Sequence, residues 1–146
     1  MVVTSYVVRP SAIIINDGKV LLVKSEYHGD TFYVLPGGKL KVGETMGDCL
    51  IREIKEETNL DITLKKFLYL RDYISDKEHV VDIYFLAEIS GSSDATNKFD
   101  TSTSGVIKAL EWVPLEELKD KTFFPKLFKT KLLEDAKKNL KMLENT

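Results

Sequence analysis

Three glutamates, Glu53, Glu56 and Glu57, fall within the stretch Thr45–Leu60, TMGDCLIREIKEETNL. At about 100° per residue along a helix they share one arc of about 100°. That arc overlaps the edge of an apolar stripe formed by Met46, Leu50 and Ile54. Like charges three and four residues apart repel. Carboxylates drawn partly toward a core therefore need a counter-charge. Mg2+ or Mn2+ supplies one through carboxylate and water oxygens. A charge run is more often only a solvated face, and Arg52 can pair with Glu56 at i,i+4. The loop ahead of the helix shifts the balance. It reads Leu35-Pro36-Gly37-Gly38-Lys39-Leu40-Lys41-Val42-Gly43-Glu44. Three glycines and a proline so close together mark backbone in unusual geometry that passes close to something. A glycine-rich turn feeding an acidic helix is an arrangement for metal and phosphate, with Glu44 placed to fix the loop by pairing with Arg52.

The elements that position these residues are legible around them. Thr45 followed by Asp48 resembles a capping box, and Asn59 suits a left-handed helix end. The helix is expected over 45–58, with Cys49 on its inner part as a small buried residue. Ser11–Ile15 and Lys19–Lys24 flank Asn16-Asp17-Gly18, a hairpin signal. Further strands are expected at Phe32–Leu35, Ile62–Tyr73, Val80–Ile89 and Val106–Val113, with a short helical turn at Pro114–Leu118. Pro125–Leu143 reads as an amphipathic helix with proline in its first turn. Its apolar stripe is Leu127, Phe128, Leu132, Leu133, Ala136, Leu140 and Leu143. Ser90–Gly105 is a polar stretch, long for a loop and read as surface within one domain. Strands alternating with helices give an α/β layer architecture with a mixed sheet.

The chain has 146 residues, enough for one core, and a single domain over 1–146 is expected. Hydrophobic residues make up 43% and charged residues 30%, as in ordinary globular proteins. A net charge of −2 gives no electrostatic footprint for nucleic acid or an anionic membrane. Cys49 is the one cysteine, so no intramolecular disulfide forms. No apolar run spans a bilayer. A cytoplasmic protein without membrane or nucleic-acid partners, monomeric or homodimeric, is the expectation.

Gly38, five residues, Glu44, seven residues and then Arg52-Glu53-Ile54-Lys55-Glu56-Glu57-Thr58-Asn59-Leu60 resemble the signature of the Nudix hydrolase family. One specified position differs, with Asn59 where the family has glycine; asparagine is the best non-glycine residue for a left-handed helix end. The Pro-Gly-Gly lead-in, the preceding hairpin and the later Glu111-Trp112-Val113-Pro114-Leu115-Glu116-Glu117-Leu118 extend the resemblance over most of the chain. It implies an α/β/α sandwich with the mixed sheet between helices. It also implies Mg2+- or Mn2+-dependent hydrolysis of a nucleoside diphosphate linked to another group. By position, Glu53, Glu56 and Glu57 carry the metal and catalytic roles, the carbonyl of Gly37 or Gly38 completes the ligands, and Arg52 and Glu44 orient the box. Lys24 and Lys39 are candidates to meet phosphate. Phe32 and Tyr33, with Phe123 and Phe124 behind them, are candidates to stack on a base. Asp100 is preferred over Asp94 and Glu111 as a late acidic residue. The small-molecule substrate expected is a (d)NTP or an oxidised dNTP, giving a nucleoside monophosphate and pyrophosphate. ADP-ribose or a nucleotide sugar is the alternative, weakened by the absence of proline between Pro36 and Pro114. A module that binds a nucleotide without cleaving it ranks lower, because every box carboxylate is present.

Overall fold

The computed structural model describes residues 2–91, 94–96, 106–124, 131, 134 and 138. It divides into two compact units, one of Met1–Ile14 with Pro36–Thr96, the other of Ile15–Leu35 with Asn97–Thr146. The first carries most of β1 (Ser5–Asn16), helix α1 (Met46–Thr58), β4 (Ile62–Ser75) and β5 (Glu78–Ile89). The second carries β2 (Lys19–Tyr27), β3 (Asp30–Val34), β6 (Ile107–Pro114) and a 3-10 turn over Leu115–Asp120.

In the first unit the sheet is mixed. β1 runs parallel to β5 from Ser5 opposite Glu78 to Ile14 opposite Ala87, and β5 runs antiparallel to β4. The glycine loop lies along the other edge of β1. Ala12 N donates to Pro36 O at 2.9 Å, Gly38 N to Pro10 O at 3.2 Å and Leu40 N to Val8 O at 2.8 Å. Pro10, inside a strand, faces that loop with its nitrogen and its carbonyl alike, so the parallel ladder to β5 loses no donor. Helix α1 buries Cys49, Leu50, Ile54 and Thr58, and Gly47 lets the helix approach Leu64 of β4 closely. Met46, expected in the buried stripe, is 37% exposed. It opens the helix, and Gly47 makes the close contact there instead.

In the second unit β2 is central, antiparallel to β3 and to β6. The turn from β1 into β2 uses Asp17 and Gly18 at φ 52° and 72°, as the Asn16-Asp17-Gly18 signal requires. A second turn of this kind, His28-Gly29 at φ 49° and 82°, joins β2 to β3. The core includes Val20, Leu21, Leu22, Val113, Leu118 and Phe123.

The strands are longer than expected: β1 begins at Ser5, and β4 extends to Ser75. Their length is set by the partner strands, which local composition does not report. Of the expected C-terminal helix, Lys131, Glu134 and Lys138 are helical and exposed, in keeping with its polar face. Its apolar stripe lies outside the described residues, as does most of the polar stretch Ser90–Gly105. Among the described residues no helix is long and apolar enough to cross a membrane.

Helix α1 ends as its sequence specifies. Thr45 accepts a hydrogen bond from Asp48 N at 3.1 Å, and Asn59 adopts φ 65°, its N–H donating to Lys55 O. Replacing Asn59 by alanine is expected to lower stability by about 1 kcal/mol, because a Cβ without asparagine's local hydrogen bonding disfavours this conformation. Glycine is expected to be neutral or slightly stabilising. Urea unfolding midpoints of the two variants check this.

Candidate active site

The site is assembled around one guanidinium. Arg52 Nη2 donates to Glu44 Oε1 at 2.8 Å and Nε to Glu44 Oε2 at 3.2 Å, a bidentate pair that joins the glycine loop to α1. Nη1 reaches Glu53 Oε1 at 2.9 Å and Glu56 Oε2 at 3.3 Å. Glu44 also accepts from Lys41 N at 2.8 Å. The Arg52 hydrogen bonds, joined by the Lys41 amide, hold the Glu44 carboxyl down at about 2. In return Glu44, and after it Glu53, push Arg52 above the usual guanidinium range.

Beneath this pair lies Cys49. Its thiol donates to Lys39 O at 3.5 Å and lies 4.0 Å from Gly38 O. Burial, reinforced by the nearby Glu44 carboxylate, pushes the thiol up to about 11, so it stays protonated and a donor. The sequence alone gives Cys49 as a small buried residue and misses this contact with the loop carbonyls. The one signal for it is its place on the inner face of α1, one turn before Arg52.

The glycine loop also touches the acids directly. A side chain on Gly38 would collide with the carboxylate of Glu53, and one on Gly37 would collide with Pro10 O and stand 2.9 Å from Ser11 Oγ. These are the close approaches that the glycine pair implies. Glu53 is mostly buried, Glu56 is exposed, and Glu57 is half-buried with Oε2 shielded from solvent.

The structure therefore brings Gly37, Gly38, Glu44, Arg52, Glu53 and Glu56 into one cluster, with Glu57 one turn beyond Glu53 on the same helix. Among the described residues no three carboxylate, histidine or cysteine side chains converge on a point that holds an ion as they stand. Arg52 occupies oxygens of Glu53 and Glu56 instead. In kind the donors fit a hard divalent cation: carboxylate oxygens on one helix face, with Gly38 leaving room beside Glu53.

Lys39 and Lys41 are exposed and line a shallow cavity of about 200 Å3 with Tyr6, Val7, Val8, Leu40 and Val42. Lys24, Phe32 and Tyr33 belong to the second unit. Lys24 lies 3.9 Å from Glu26. Tyr33 corrects an expectation: it is 5% exposed, and Lys121 lies over its ring at 5.4 Å. Burial, then the hydrogen bond to Glu111, pushes its hydroxyl up to about 12. A ring so enclosed serves the core rather than a stacked base. Phe123 is buried too, whereas Phe32 meets Phe124 edge to face at 5.7 Å and Phe124 remains exposed. Asp94 is exposed, and Asp100 lies outside the described residues.

Comparison with known proteins decides the family. The NUDIX domain model matches residues 6–132. The chain belongs to the Nudix family. Among curated proteins this Nudix chain is 36% identical over 87 residues to an ADP-ribose pyrophosphatase of Methanocaldococcus jannaschii, covering 58% of the chain and 52% of that relative. The chain spans about half or less of the length of the first curated relatives it matches. Among solved structures, a MutT NUDIX hydrolase from Burkholderia pseudomallei is 29% identical with a TM-score of 0.60, over 76% of this chain and 84% of that one. A NUDIX hydrolase from Nitrosomonas europaea shares the fold with a TM-score of 0.72 at 23% identity, over 91% and 89%. The α/β Nudix fold expected from the sequence is thus the fold observed.

In this Nudix chain the Glu44–Arg52 pair has a pH signature. Glu44 is depressed from 4.5 to about 2 in the folded state. A depressed carboxyl stabilises above its unfolded value and loses that contribution as pH falls through the folded one. The wild type is expected to exceed Glu44→Gln in urea midpoint by a constant margin above about pH 5. That margin shrinks below pH 4.5 and is gone only below about pH 2. Midpoints measured across this range check it.

Proposed function

We propose that this chain is a divalent-metal-dependent pyrophosphohydrolase of small nucleotides, and that 1–146 forms one Nudix domain. Nudix hydrolases in general need a divalent metal; Mg2+ or Mn2+ is the ion proposed here. The observation that carries the reading is the packing of Gly38 against the Glu53 carboxylate on an acidic helix that Arg52 ties to the same loop. Glu56 and Glu57 are the proposed direct ligands, with the carbonyl of Gly37 or Gly38. Glu53 either joins them or orients the attacking water. Arg52 and Glu44 hold the loop and helix in register. When bound, the ion lowers the pKa of a coordinated water and offsets charge on the diphosphate. In the overall reaction water attacks phosphorus, one P–O–P anhydride bond breaks, and the proton of the water passes to a box carboxylate.

The substrate proposed first is a (d)NTP or an oxidised dNTP, giving the monophosphate and pyrophosphate. ADP-ribose or a nucleotide sugar is the second reading, supported by the M. jannaschii relative, an ADP-ribose pyrophosphatase. Lys24, Lys39 and Phe32 remain proposed substrate contacts.

A product assay with Mg2+ and with Mn2+ tests this on dNTPs, 8-oxo-dGTP, ADP-ribose, nucleotide sugars and dinucleoside polyphosphates. Pyrophosphate plus monophosphate supports the first reading, and AMP plus ribose 5-phosphate the second. Glu57→Gln is expected to keep the fold and lower the rate by at least about a hundredfold. An undiminished rate overturns the metal assignment. Gly38→Ala displaces the Glu53 carboxylate and is expected to cost about a hundredfold, with circular dichroism unchanged.

A further inference from the structure

On one face of the first unit's sheet, three charged residues stand in register across three strands. Arg9 of β1 is opposite Asp82 of β5, and Asp82 is opposite Arg71 of β4. Direct cross-strand partners share a face. The Asp82 carboxylate thus has an arginine in register on either neighbouring strand, and Arg71 is in direct contact with it. Asp82 is 7% exposed. Arg71 Nη2 donates to Asp82 Oδ2 at 3.2 Å, and the Tyr84 hydroxyl donates to the same oxygen at 3.3 Å. The Arg71 guanidinium lies 4.3 Å from the centroid of the Tyr73 ring, which fixes its plane.

Two features of this row bear on what it can bind. Among the described residues Arg71 Nε is buried without an acceptor, a state the fold must offset elsewhere. Among the described residues the side-chain bonds to Asp82 fall on Oδ2, so Oδ1 retains its capacity to accept there. Across the sheet, the row is donor, acceptor, donor. It is also near the box. The next row holds Ser11 of β1, which bridges to Gly37 of the glycine loop. At roughly 5 Å between strands, Asp82 lies about 10 Å from that loop.

An anion fits this row poorly, because the central carboxylate opposes it. A neutral ring edge that reads acceptor, donor, acceptor satisfies all three positions. The imide edge of uracil and thymine, carbonyl, N–H, carbonyl, has that order. Cytosine and adenine place a lone pair against Asp82. Guanine matches two positions and sets an amino group against an arginine.

We propose that Arg9, Asp82 and Arg71 form a base-reading row selective for an imide edge, so that the nucleotide handled by this chain carries uracil or thymine. This rests on the nucleotide reading above and narrows it.

The test is calorimetric binding of UMP, CMP, AMP, GMP and ribose 5-phosphate to the full chain without metal. UMP is expected to bind at least about tenfold more tightly than CMP, the low end for a well-made base contact. Arg71→Met is expected to bring that ratio near one while leaving ribose 5-phosphate unchanged. Equal binding of UMP and CMP by the wild type overturns the proposal. So does preference for AMP, or no binding of any nucleotide. An equal loss of ribose 5-phosphate in Arg71→Met overturns it too, since the row then holds an anion. Because Arg71→Met leaves Asp82 without its partner, Arg9→Met, at a half-buried position, serves as the second variant, with the ratio expected to fall in the same direction. The readout needs no turnover. A failed hydrolysis assay with the UMP preference intact refutes the reaction and not the row; equal UMP and CMP binding with intact hydrolysis does the reverse.

Discussion

The fork of Arg52 on Glu44 is the contact on which the rest of the site depends. Glycine-rich backbone has little conformational preference of its own. The loop from Pro36 to Gly43 is held by its hydrogen bonds to β1, by the Cys49 thiol on Lys39 O and by this ion pair to α1. The pair is partly buried, and its fork geometry restricts both groups to one arrangement. Arg52 also reaches Glu53 and Glu56, so the same guanidinium offsets the repulsion among acids crowded on one helix face.

That crowding shapes the surrounding sequence. Gly38 must lack a side chain because Glu53 fills the space, and Gly37 must lack one because β1 does. Cys49 is small enough to lie under the loop and polar enough to donate weakly to the Lys39 carbonyl. Each choice follows from bringing a strand edge, a loop and a helix into contact around charged groups. None of these residues is interchangeable with a bulkier one.

The parts legible in the sequence are those set by near neighbours. The Thr45 cap, the left-handed Asn59, the Asp17-Gly18 turn and the Glu44–Arg52 pair all join residues close in the chain, where residue type and spacing carry the information. Burial is less legible. Tyr33 reads as available for stacking, yet Lys121 and Glu111, from much later in the chain, enclose it. Met46 reads as buried from helical periodicity but sits where the helix has only begun to meet β4. The row of Arg9, Asp82 and Arg71 is invisible in the sequence, because its registry depends on two strand pairings that no local pattern encodes.

The parallel pairing of β1 with β5 has a consequence for how the chain folds. Thr4 and Lys77, hydrogen-bonded at the start of that ladder, are 73 positions apart. The β4–β5 hairpin closes over a short turn and can form early, whereas β1 must wait for a large loop to close. The glycine loop hangs from the far edge of β1. Its geometry is therefore completed late, with the closing of the sheet, and a chain trapped before that step has its acidic helix but no loop set against it.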